Sequence, residues 1–375
     1  MKDRFQHFNS GRANFFLVAF IALVLFGAVL KITSSVVLPF TISLLLALVT
    51  SPIVRILAKF HIPRGVSIFL IVFLLVGILA GMGMVLYSSS RILINLYPKY
   101  QERLTDIYIM IARVFELPYD EHLSIFENLW GQIGVRSQVR IMTISVSNGI
   151  LLFIGNAFMV VLFMIFLSFE AAFLGEKLDA AFEGERVQKI RKISSDVMRQ
   201  ITRYLSIKFF ISVINGVTIG ISYKIIGLEF AVVWGVIQFI LNFIPNIGSI
   251  AFGLAATAFA VVQFWPDPTP IIAVGLVTIG INLILGSFLD PHIMGDRLGL
   301  SPLVVLISLL IWGFIWGFAG LILAVPMMAI IKIICENFPV LEPISILLGS
   351  RKAAVAGKNK DEGETKKEEI KDKVE

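Results

Sequence analysis

Six polar side chains stand inside or directly beside long apolar runs, where a polar group is costly unless it has work to do: Glu229, Gln238, Asn242, Asn246, Asn282 and Asp290. The four amides carry both donors and acceptors, so Gln238, Asn242, Asn246 and Asn282 can hydrogen-bond a small polar solute. The same amides can instead glue helices together, and for each the two roles stay open. Asn242 and Asn246 flank Phe243, Ile244 and Pro245 and precede Gly248, so they coincide with a helix break. The carboxylates suit proton or cation coupling: Asp290 directly follows an apolar run, and Glu229 precedes one. Asp290 has a second open role, as a helix-end residue in water or paired with Arg297. His292 lacks a second ligand at metal-binding spacing, so no metal site is expected. No Gly-x-Ser-x-Gly elbow, His-Glu-x-x-His pair or nucleotide-binding motif occurs. The sequence therefore predicts neither an enzyme nor a cofactor.

The elements that must position these groups follow from composition. The chain has 375 residues, 57% of them apolar and 15% charged. That balance excludes an ordinary soluble domain, in which about a quarter of residues are charged. A single cysteine, Cys335, excludes an intrachain disulfide and a thiolate-held metal cluster. Charges concentrate in residues 1–12, 55–64, 89–147, 170–208 and 351–375, and the stretches between them approach the ~20 residues that cross a hydrocarbon core. The predicted fold is all-α: a polytopic helical membrane protein with about eight membrane segments. Membrane lipid is the expected surrounding, and the net charge of +6 is a cytoplasmic-surface signal, not a nucleic-acid footprint.

Along the chain, residues 1–12 form a cytoplasmic amino terminus and 13–88 the first three spans, with Arg55, Lys59 and Arg64 marking a cytoplasmic loop. Residues 89–147 read as an amphipathic helical insertion on the outer face, 148–169 as a fourth span, and 170–204 as a cytoplasmic amphipathic helix. A transport core occupies 205–340. Within it, 229–264 and 301–334 are each too long for one simple span and too short for two. Each is predicted to be a tilted broken helix or a re-entrant hairpin, interrupted at Asn242–Gly248 and at Trp312–Gly320. A shift of 72 residues lays Gly227, Leu228, Val232, Val233 and Gly248 on Gly299, Leu300, Val304, Val305 and Gly320, and Pro245 on Gly317, suggesting inverted repeats. Broken helices leave backbone groups unpaired, which is tolerated only inside protein or against an aqueous cavity. The expected substrate-binding set is Asn242, Pro245, Asn246, Gly248, Asn282, Trp316, Gly317 and Gly320, with Asp290 and Glu229 for ion coupling. Residues 341–375 are expected to be a disordered charged cytoplasmic tail.

Several motifs add a family likeness. Pro39-Phe40, Ile62-Pro63-Arg64, Phe243-Ile244-Pro245-Asn246-Ile247-Gly248, Asp290-Pro291-His292-Ile293-Met294-Gly295 and Leu300-Ser301-Pro302, in this order, resemble the AI-2E family of bacterial inner-membrane proteins. The family is also called the autoinducer-2 exporter or PerM-like permease family. The resemblance spans residues 13–340 and implies a multi-pass transporter, often a homo-oligomer. Some members are described as exporting the furanone autoinducer-2, others as exchanging sodium or lithium for protons. Asn246 stands where members often carry Tyr. Three functions are in play: alternating-access export of a small polar solute, monovalent cation/proton antiport, and a non-transporting membrane scaffold or permeability factor.

Overall fold

In the computed structural model the described residues are 10–115, 155–171, 173, 176–177, 180–181, 185–245, 247–289, 300–338 and 341–349. They are helical throughout, with one isolated backbone bridge between Leu300 and Gly349. Among the described residues six helices are long and apolar enough to cross a membrane, and three shorter apolar helices accompany them. The fold is thus that of an all-α polytopic membrane protein.

Helix α1 (Ser10–Ile32) and α2 (Ser34–Lys59) form the first pair. Two prolines, Pro39 and Pro52, sit inside α2, and the Thr41, Ser43 and Thr50 hydroxyls bond back to carbonyls one turn earlier, so polar groups are satisfied within the helix. Helix α3 (Arg64–Val114) makes no break near residue 88, where the sequence divides span from insertion. The serines at 88–90 are compatible with helix, and Ser88 donates to the Val85 carbonyl at 3.0 Å. The first part of the expected insertion is therefore the same rod continued, and residues 116–147 lie outside the described set. Helix α4 (Gly155–Ala171) follows.

Helix α5 (Glu185–Ile226) likewise joins what the sequence divides at 204/205. With neither Gly nor Pro before Gly216, nothing interrupts propagation, and its 42 residues make a rod of ~63 Å. Gly227 ends it in the left-handed region (φ 88°), and the Leu228 N–H caps the Tyr223 carbonyl at 2.9 Å.

Helices α6 (Ala231–Leu241) and α7 (Ile247–Phe264) are the arms of a hairpin. Trp234 meets Phe252, Phe230 meets Phe259, and Gly248 lies on the Leu241 carbonyl, so the arms run antiparallel about a tip near Ile244 and Pro245. Helix α8 (Pro268–Asn282) is started by Asp267, whose carboxylate accepts from the Thr269 N–H, and it widens into a π-helix at Leu283–Leu289. Helix α9 (Pro302–Asn337) carries a sharp break at Gly317 (φ 60°, ψ −136°), a conformation that needs glycine. Ser308 donates to the Ala324 carbonyl at 2.7 Å, although a straight helix would hold those residues about 24 Å apart. Residues 302–316 and 318–337 are therefore a second hairpin. Its contacts 308–324, 312–320 and 313–321 centre on Trp316 and Gly317, 72 residues beyond the centre of the first. The shift visible in the sequence is thus repeated in the backbone.

One apolar cluster joins α2, the first half of α5, the Ile244 tip and the second hairpin; another joins α5, both arms of the first hairpin and α8. Gly216 and Gly220 let α6 approach α5 closely, since a Cβ on Gly216 would sit 2.6 Å from the Gly235 carbonyl. A correction concerns the carboxyl end. Residues 341–349 are not tail: helix α10 (Glu342–Leu348) docks beside the second hairpin, with Ser345 buried and the Ser301 N–H donating to the Leu348 carbonyl at 3.0 Å. Its run of Ile344, Ile346, Leu347 and Leu348 is what separates it from the charged stretch beyond.

Both tips depend on glycine, because a Cβ on Gly248 or Gly320 would overlap the carbonyl of Leu241 or Trp312. Gly248→Ala and Gly320→Ala should each lower stability by ~2 kcal/mol or more, read as a fall in melting temperature in detergent. Gly77→Ala and Gly81→Ala, where a Cβ meets nothing within 4 Å, should leave it unchanged or slightly raised.

Candidate functional site

A cavity of about 830 Å³ opens beside the tip of the first hairpin. The tip supplies Asn242, Phe243, Ile244 and Pro245; α7 adds Ser249, Gly253 and Thr257; and α8 adds Gly275, Thr278 and Asn282. Tyr204 and Lys208 of α5, and Val305 and Val325 from the two arms of the second hairpin, close it. The wall is mainly apolar; its polar groups are amides, hydroxyls and the Lys208 side chain, with no carboxylate among the described lining residues. The widened π-turn after Asn282 contributes Leu283 and Gly286, and such turns recur at functional sites.

Behind the wall lies a buried chain of amides spanning α5, α6 and α8. Gln238 is fully buried, and its Nε2 donates to Asn215 Oδ1 at 3.2 Å and to Asn282 Oδ1 at 2.9 Å. Asn215 Nδ2 donates to Asn242 Oδ1 at 3.3 Å, and Asn242 Nδ2 donates to Ser212 Oγ at 2.9 Å. Gln238 Oε1 is the one buried side-chain polar atom left without a partner among the described residues. Nearby, Thr278 donates its hydroxyl to the Val274 carbonyl at 2.6 Å, so it accepts from Tyr223 Oη at 2.6 Å.

The predicted site residues separate into groups. Asn242, Pro245 and Asn282 meet at the cavity. Asn242 commits both ends of its amide to α5, so it anchors the tip as well as lining the wall. Gly248 forms the turn itself. Trp316, Gly317 and Gly320 are at the second tip, away from the cavity lining: Trp316 Nε1 donates to the Leu30 carbonyl at 3.1 Å, and Lys31 Nζ lies 3.7 Å above the Phe314 ring. Glu229 sits at the open end of the first hairpin. Its carboxylate pairs with Lys99 Nζ at 3.0 Å and with Tyr100 Oη, and its N–H donates to Gln263 Oε1 at 2.8 Å. Asn246, Asp290 and His292 lie outside the described residues.

Sequence reasoning missed the other half of the network. Ser212, Asn215, Gly216, Gly220 and Tyr223 fall on one face of α5 at spacings of three and four, but they sit in an unbroken helix, and attention went to the breaks. It also passed over Lys332, whose side chain is 4% exposed and bonded to Glu336 at 2.7 Å, an ion pair near the open end of the second hairpin and outside the cavity lining.

The family model described as "AI-2E family transporter" matches residues 16–339. A Haemophilus influenzae protein named "Putative transport protein" is 31% identical over 344 residues, covering 89% of this chain and 95% of that one. A Borreliella burgdorferi protein of the same name is 30% identical over 329 residues, 88% of each chain. The Escherichia coli "AI-2 transport protein TqsA" is 27% identical over 339 residues, 88% of this chain and 94% of that one.

Because Asn242 bonds to both Ser212 and Asn215, Asn242→Leu should cost ~1–3 kcal/mol of stability by leaving buried amides unpaired. In a thermodynamic cycle with Ser212→Ala, the double variant should cost ~1 kcal/mol less than the two single changes together. Additive costs would mean that the two side chains do not interact.

Proposed function

The chain belongs to the AI-2E transporter family, and on that premise we propose that it exports a small, neutral, hydrogen-bonding solute, a furanone resembling autoinducer-2 or a similar polyol, through the cavity beside the first hairpin. The coarse part is plain: it is a multi-pass membrane transporter of the bacterial inner membrane, and not an enzyme. The observation that carries the finer reading is the cavity's chemistry. Its volume of about 830 Å³ suits a small organic molecule, and its described wall offers Asn282, Ser249, Thr257 and the Lys208 side chain without a carboxylate. A bare monovalent cation gains little from such a wall, whereas a neutral solute can exchange its water hydrogen bonds for those of amides and hydroxyls. The name of the Escherichia coli relative supports a furanone as the solute class.

Movement would come from the hairpins. The first tip is packed through Ile244 against the cluster that holds the second hairpin, and Val305 and Val325 face the same cavity. Two folded-back elements whose tips, at Ile244 and Trp316, share one apolar cluster support alternating access in which one tip withdraws while the other stays. Energy comes from a solute or ion gradient. Of the two carboxylates that cation/proton antiport would use, Glu229 is held by Lys99 and Tyr100 away from the cavity, and Asp290 lies outside the described residues.

In proteoliposomes, uptake of a radiolabelled furanone diol should fall about tenfold in Asn282→Ala, the ~1.4 kcal/mol expected of one lost hydrogen bond in a dry site. Sodium or lithium added to vesicles with an acidic interior should evoke no proton movement. Unchanged uptake in the variant, or cation-evoked proton flux from the folded protein, would overturn the reading.

A further inference from the structure

The amide chain behind the cavity has a direction, and that direction bears on what the cavity can recognise. A side-chain amide is oriented by its hydrogen-bond partners. Gln238 Nε2 lies between two oxygens, Asn215 Oδ1 at 3.2 Å and Asn282 Oδ1 at 2.9 Å, and its two N–H groups are both used. From there the donors point one way, from Asn215 to Asn242 and from Asn242 to Ser212. Turning Gln238 alone would set its oxygen against two others. Turning the whole chain would strand both Gln238 N–H donors in place of the single oxygen now left over. The observed direction is therefore the one with fewer unmet groups.

We infer that Gln238 is a positioning residue that holds the Asn282 oxygen inward and turns the Asn282 NH2 group to the cavity, so that the site selects solutes by an acceptor oxygen. Asn282 is half-buried, lines the cavity, and has no partner for Nδ2 among the described residues. A carbonyl, ether or hydroxyl oxygen satisfies that group; a solute that can only donate does not. Thr278, one turn earlier on α8, does not oppose the bias, because it is buried with its hydroxyl proton given to the Val274 carbonyl and its oxygen accepting from Tyr223 Oη. A site built around one hydrogen-bonding sense rejects the mismatched analogue because its own polar group is then left unpaired. This inference rests on the cavity being the solute's path.

The test is competition against radiolabelled tetrahydrofuran-3,4-diol uptake in proteoliposomes by two neutral probes of similar size, the diol's dimethyl ether, which only accepts, and indole, which chiefly donates. Wild type should favour the ether about tenfold. Gln238→Met, which removes the donors at similar volume, should bring the preference close to one while uptake of the diol, able to present either sense, stays within about threefold. Equal competition by the two probes in wild type overturns the inference without any variant, as does a Gln238→Met protein that carries the diol and keeps the preference. Absence of diol uptake in folded wild type would instead overturn the functional reading, and the inference with it.

Discussion

Inside a membrane no water is at hand for a backbone group that loses its helical partner, and that constraint governs this molecule. A helix can be broken at depth only if protein closes over the break. Both breaks here are closed the same way: the second arm returns with a glycine set on a carbonyl of the first, Gly248 on Leu241 and Gly320 on Trp312. Backbone thus covers backbone, at a separation that any side chain would prevent. The long rod of α5 and the close Gly216–Gly235 approach then give the first hairpin a wall to lie against.

The two hairpins share this device and differ in everything that surrounds it. The first tip is tied by amides, through Asn242 to Ser212 and Asn215 and through Gln238 to Asn282, and it borders the cavity. The second tip is tied by aromatic and cationic contacts to the end of α1, with Trp316 on the Leu30 carbonyl and Lys31 over Phe314. Polar adhesion between helices is exchangeable for hydrogen bonds to a solute, whereas packed indole and phenyl rings have no such alternative partner. The repeat therefore supplies a scaffold, and its divergence supplies a cavity side and an anchored side.

Much of this was legible in the sequence. The all-α membrane class follows from the charge-poor runs, and a break, as a tilted helix or a hairpin, from Pro245 and the Gly317–Gly320 cluster interrupting stretches of awkward length. Asn242, Pro245 and Asn282 were picked out because polar or helix-breaking residues are conspicuous there, and the cavity brings these three together. What stayed hidden depends on long-range packing. Ser212 and Asn215 look unremarkable in an intact helix until α6 is laid against them. Trp316 and Gly317 stand at a break as marked as the first, but which tip faces a cavity is decided by the neighbouring helices. Continuous helix across residues 88 and 204 was missed because a change from apolar to charged residues marks where water begins, not where hydrogen bonding along the backbone ends.

On the proposed reading the solute passes through the cavity bordered by the first tip. Thr257→Cys in a Cys335→Ser background places one thiol on that wall. The measurement is its rate of alkylation by a small maleimide in proteoliposomes with and without saturating furanone diol. The account predicts that the solute slows labelling severalfold and that labelled protein no longer transports. Labelling at the same rate with solute present, together with transport undiminished after complete modification, would contradict it.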